Sequence, residues 1–164
     1  MLENVAKQVG TVPNMHRLMA ISPVALEGYL ALTSALERGA LPAATRERIA
    51  LAVAEFNGSN YCLSAHNAIT KKVAKLDDAE IAANRAGCSM DPKAGAAVKF
   101  AAKVVHDQGH VAEADLREVK AAGYDDAQVI EIIQHVALNV FTNYLNSVAQ
   151  TDIDFPVIVA RKAA

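Results

Sequence analysis

Punctuation constrains this chain more than any other feature. Its eight glycines and five prolines fall mostly at breaks between stretches whose apolar residues recur at helical spacing. Gly ends a helix in a left-handed turn, and Pro suits the first helical position, where the N–H it lacks has no partner anyway. Leu2, Val5 and Val9 suggest a short helix ending at Gly10, and Asn14 to Ala20 adds a turn or two. Ser22 and Pro23 cap and open a helix through Leu26, Tyr29, Leu30 and Leu36, stopped by Gly39. Pro42 opens the next, which carries Ile49, Val53 and Phe56 and ends at Asn57-Gly58; another covers about Asn60 to Lys75. Asp77 to Glu80 has capping-box spacing and starts a helix that Gly87 ends. Asp91-Pro92 opens one through Val98 and Val105 to Gly109, and Glu113 to Ala121 is closed by Gly123. Asp125 and Gln128 form a second capping box, stapled by Tyr124 and Val129, before the longest helix, about Asp126 to Gln150. The tail holds one β-like run, Val157 to Ala160, with no partner strand in sight. The expected fold is all-α: one domain over residues 1–164, a compact bundle of seven to nine helices.

Composition agrees and narrows the function. Alanine and aliphatics dominate, aromatics make up 5%, and there is no Trp. A formal net charge of −2, with the charges dispersed, gives no patch for nucleic acid or an anionic membrane. No apolar run approaches the ~20 residues of a membrane span. MLENVAKQVG has neither the basic nor the apolar region of a signal peptide. Two cysteines, Cys62 and Cys88, then read as reduced thiols in the cytoplasm.

The chemistry concentrates between Arg46 and Ile69. From Cys62, a helical face runs through Ala65, Ile69, Val73 and Leu76, which is expected to face the interior. His66 lies on that face one turn from Cys62. If Ser59 is the N-cap, Cys62 is the third helical residue, where unpaired N–H groups and the helix dipole favour a thiolate. A small buried cysteine beside a satisfied histidine is the plainer alternative. Glu47 shifts the balance. Although flanked by Arg46 and Arg48, it shares a face with Leu51 and Ala54. A carboxylate there needs a partner, and His66 on the adjacent helix is the natural one. In an ideal hairpin turning near Gly58 the two are offset by roughly 5 Å, a gap the helix crossing must close.

These residues resemble the pattern Glu-x(11)-Cys-x-x-Cys-x-x-x-His of the alkylhydroperoxidase D-like branch of the carboxymuconolactone decarboxylase superfamily. Glu47, position 59, Cys62 and His66 fall at its spacings. The resemblance extends to VPNMHRLMAISP near the start and NVFTNYLNSVAQTDIDFP near the end, and is strongest to the peroxidase-related members. It implies an all-helical, cofactor-free homo-oligomer that reduces a hydroperoxide at the expense of a thiol or dithiol. The residue matching Cys62 attacks the peroxide, those matching Glu47 and His66 relay protons, and a cysteine at position 59 resolves the sulfenic acid. Here position 59 is Ser59, so the intramolecular disulfide cannot form. Either one cysteine works with an external thiol, or a Cys→Ser change has been introduced.

Other features are weaker. Tyr61 suits packing better than proton relay, and Cys88 lacks a neighbouring base. His106 and His110 are four apart, but Gly109 between them favours a solvated helix end over a metal pair. His135, Asn139, Asn143, Asn146 and Gln150 form a polar stripe on the longest helix, suggesting a subunit interface or a pocket wall. Two rivals to the peroxidase stand: a decarboxylase of the same fold, which does not need Cys62, and a non-catalytic helical binding module.

Overall fold

A computed structural model describes residues 1–161, the side chains of residues 8 and 9 excepted. The described residues form nine α-helices and no strand: α1 (Leu2–Val9), α2 (Asn14–Met19), α3 (Pro23–Glu37), α4 (Ala43–Phe56), α5 (Asn60–Ile69), α6 (Asp78–Arg85), α7 (Pro92–His106), α8 (Glu113–Ala121) and α9 (Asp126–Ala149). A π-helical turn, Thr70–Ala74, continues α5.

Helix α4 is the centre. Six consecutive residues, Ile49 to Ala54, are buried, so this stretch is covered all round, as expected of a central helix. It packs on α5, α6, α7 and α9. Alternating alanines (Ala50, Ala52, Ala54) let those neighbours approach closely, while Ile49, Leu51 and Val53 fill the gaps. One apolar cluster joins α4 to α7, α8 and α9 through Ile49, Phe100, Val119 and Ile132. A second, with Met15, Leu26, Leu51, Leu63 and Cys62, joins α2, α3 and α5 to the tail.

Caps set most boundaries. Asp125 and Gln128 exchange both bonds of a capping box, at 2.8 and 3.1 Å. Asp77 accepts from the Glu80 N–H, yet the Glu80 carboxylate does not return the bond; it turns to Arg48 instead, so the expected box is half formed. At the α3–α4 turn, the Glu131 carboxylate accepts the N–H groups of Ala40 and Leu41. A Cβ on Gly39 would meet that carboxylate at 2.7 Å, so a side chain there would displace it from these N–H groups.

Two expectations are corrected. The apolar face of α5 is not buried along its length: Ile69, at the end of α5, lies on the wall of an open cavity, and Val73 is exposed within the π turn, whose wider winding shifts the helical phase. The β-like run Val157 to Ala160 is not a strand. It lies along α5 and donates its N–H groups to side chains, Ile158 to Ser64 and Ala160 to Asn60.

Candidate active site

A cavity of about 320 Å³ opens between α2, α3, α4, α5, α9 and the tail. Cys62, His66 and Glu47 all reach its wall. The hairpin crossing closes the offset between the last two: Glu47 Oε2 lies 2.8 Å from His66 Nδ1. Both side chains are about one-fifth exposed, 20% and 21%. An ionised carboxylate only accepts, so Nδ1 carries the hydrogen and Nε2 of a neutral ring is left to take a proton.

Cys62 is buried in the first turn of α5. Ser59 is the N-cap, its hydroxyl accepting the Cys62 N–H at 3.4 Å, and it is itself buried. The cap therefore fixes the backbone of the cysteine. Across the bundle, Asn146 donates to Cys62 Sγ at 3.4 Å and to the Thr142 carbonyl at 2.9 Å with the other hydrogen of its amide. This contact was not foreseen. The stripe of asparagines on α9 carried the signal, but sequence spacing could not say what the stripe faces.

That stripe is resolved by the fold. His135, Asn139, Asn143 and Asn146 are buried within one chain, so they are not a subunit interface; only Gln150 is exposed. His135 and Asn139 line the cavity. Asn143 accepts from Asn57 at 2.9 Å, tying α9 to the α4–α5 turn. Burial, with the Arg46 cation adding to it, lowers the pKa of His135 to about 4. Its ring is neutral near neutral pH.

Neighbours of the triad go elsewhere. Arg48 is not a solvated charge: its Nε donates to Glu80 at 2.7 Å in a buried pair. Arg46 donates to the carbonyls of Glu37 and Leu41. The Tyr61 hydroxyl donates to Asp154 at 2.8 Å and accepts the Met15 N–H at 3.1 Å, and burial raises its pKa, with Asp154 adding to the shift. Its proton is committed to holding the tail. Cys88 is exposed. His16 and Thr33 also line the cavity, from helices that carried no site signal in the sequence.

An all-helical bundle with a buried cysteine, a histidine one turn away and a glutamate on that histidine fits the alkylhydroperoxidase D-like pattern that the sequence resembles. The carboxymuconolactone decarboxylase family matches residues 23–107, more than half of the chain, and the chain belongs to that family. Among solved structures, it is similar to a peroxidase-related protein of Silicibacter sp. TM1040, with 24% identity and a TM-score of 0.83 over 92% of this chain and 81% of that one. A peroxidase-related alkylhydroperoxidase core protein of Ralstonia eutropha JMP134 shares 26% identity, with a TM-score of 0.81 over 94% of this chain and 83% of that one. The debrominase Bmp8 shares the fold at 20% identity, with a TM-score of 0.79 over 93% of this chain and 83% of that one. No curated protein matches the chain. Among the described residues no helix is long and apolar enough to cross a membrane.

Proposed function

We propose that the protein is a thiol-dependent peroxidase with Cys62 as its nucleophile. The observation that carries this reading is the cavity that places Cys62 with a hydrogen-bonded Glu47–His66 pair, while Asn146 donates to the sulfur. The Cys62 thiolate attacks the terminal, hydrogen-bearing oxygen of R–O–O–H, the O–O bond breaks, and the alkoxide leaves with a proton delivered through His66. Cys62 becomes a sulfenic acid and the peroxide an alcohol. Glu47 holds the His66 tautomer and recharges it. Ser59 cannot resolve the sulfenic acid, so an external thiol attacks it, releasing water, and a second thiol frees Cys62 as a disulfide departs.

The test is peroxide treatment with a sulfenic-acid trap, read by peptide mass, alongside peroxide consumption with dithiothreitol. Modification at Cys62 in preference to Cys88 is expected. An inert Cys62 overturns the reading and returns the decarboxylase and the binding module to the front. Reductive debromination of a small ring is a second reading, favoured by a cavity far larger than a peroxide group requires. Bromide release from 2,3,4-tribromopyrrole, with dithiothreitol as the two-electron donor and its disulfide as the second product, checks it.

We also read the protein as a cytoplasmic homo-oligomer. Ile130, Ile133, Phe141, Tyr144 and Val148 lie exposed on α9, an apolar surface of the kind that finds partners. Light scattering at micromolar concentration returning a monomer mass overturns it.

A further inference from the structure

Three buried polar atoms on side chains of the cavity wall have no hydrogen-bond partner among the described residues: His16 Nδ1, Thr33 Oγ1 and His135 Nε2. They come from α2, α3 and α9, so no single local irregularity accounts for them. A buried donor or acceptor without a partner bears the full cost of its desolvation, and such groups are rare in native proteins. His135 is the most enclosed of the three side chains, 6% exposed. Its carbonyl receives the Asn139 amide at 2.8 Å, while its ring Nε2 receives nothing.

The remaining wall defines what can enter. Val5, Met15, Leu30, Leu138 and Phe155 make much of it apolar. Arg46 donates to two backbone carbonyls and Glu47 is bound to His66, while Glu37, the remaining charged residue of the wall, is exposed. Size excludes the smallest substrates as a good fit. An apolar cavity of ~150 Å³ holds one benzene. This one, at about 320 Å³, holds roughly twice that, on the order of ten heavy atoms.

We propose that the cavity binds a compact, mostly apolar organic molecule bearing one hydrogen-bonding group, a hydroxyl or ring N–H, which is received by His135. The peroxidase reading enters only in placing the reacting group of that molecule at Cys62.

The probes are 4-ethylphenol and 4-ethyltoluene, which share a shape and differ by hydroxyl against methyl. Their affinities are measured by ligand-observed NMR on full-length Cys62→Ala protein, so that no chemistry at the thiol intervenes. A preference of about tenfold or more for the phenol is expected, falling to about twofold or less in His135→Leu and partly kept in His135→Gln. In wild type, the His135 Nε2 nitrogen resonance shifts with the phenol and stays put with the hydrocarbon. That readout needs no variant, so poor folding of His135→Leu does not remove the test. Equal affinities, no binding of either probe, or a preference that survives in His135→Leu overturns the proposal. Its fate is separable from that of the peroxidase: a peroxide-inert Cys62 leaves the binding preference intact, and a missing preference leaves Cys62 chemistry intact.

Discussion

Glu47 and Arg48 are neighbours in sequence and opposites in environment. Arg48 meets Glu80 in a densely bonded node: that carboxylate also receives Asn84 at 2.9 Å, Ser89 at 2.5 Å and the Met90 N–H at 2.8 Å, although the Asn84 Oδ1 has no partner of its own. Burial works against ionisation of Glu80, but those hydrogen bonds outweigh it and lower its pKa to about 2. Glu47, by contrast, has one partner, His66, and faces a cavity whose wall carries unpaired polar atoms. A polar group with every bond made has no capacity left for a ligand and serves the fold. One left incomplete beside open space keeps capacity for chemistry.

Substitution breaks the comparison most sharply at the cavity. Glu47→Gln and His66→Ala are each expected to slow peroxide attack by about 10²–10⁴-fold, the usual worth of a positioned acid–base group. The double variant should lose little more than either single one, because the residues act as one relay. Stopped-flow rates for the three variants decide it, and additive losses mean the pair does not communicate. At the Glu80 node the effect moves from rate to stability. Glu80→Ala leaves the Arg48 cation buried without its partner, and urea unfolding should show a loss of about 3–5 kcal/mol. Peroxide rates in the folded fraction should stay near wild type.

Why only one of these two sites could be read from sequence follows from range. Helix starts depend on residues three or four apart, so the Asp125–Gln128 box, the Ser59 cap and the span Glu113–Ala121 were visible as spacing. Glu47 was legible because a carboxylate on an apolar face demands a partner and a hairpin supplies one. Arg48 was not, since Glu80 is 32 residues away on a helix whose direction no local pattern gives. His16 and Thr33 share the cavity with His135 only through tertiary packing of α2 on α3 and of α3 on α9. The π turn after α5 escaped for another reason: apolar spacing alone does not report a change of helical phase.

Acid should separate the two regions on one axis. His135 falls from 6.5 to about 4 on folding, so the unfolded chain binds the proton first as pH drops. Its neutral form contributes stability that is complete above pH 6.5 and is lost as pH falls towards 4. Glu80 falls from 4.5 to about 2, and its contribution is complete above pH 4.5 and lost as pH falls towards 2. Each shift corresponds to about 3 kcal/mol. His16, also lowered by burial, adds to the upper limb. Urea unfolding across pH 8 to 2 should show both limbs, with His135→Leu flattening the upper and Glu80→Gln the lower. A single limb below pH 4.5 in wild type means that His135 is not held neutral by the fold.

The smallest structural change tests the largest functional restriction. Ser59 caps α5 through its hydroxyl and is buried, so Ser59→Cys exchanges a good cap for a poor one at a cost of about 1 kcal/mol or less. The attack of Cys62 on peroxide should hardly change, since neither Asn146 nor His66 depends on that hydroxyl. What changes is the fate of the sulfenic acid. A thiol at position 59, three residues before Cys62 in the first turn of the helix, can close a disulfide and expel water, which serine cannot do unless activated. Wild type should therefore react once and stall without an added thiol, while Ser59→Cys consumes a second thiol per chain and turns over with a dithiol donor. Thiol counting and peroxide consumption, with dithiothreitol and with no donor, read both. Equal turnover of the two forms with dithiothreitol makes the second thiol irrelevant and the protein a one-cysteine enzyme. If neither form consumes peroxide, Cys62 serves some other chemistry in this cavity.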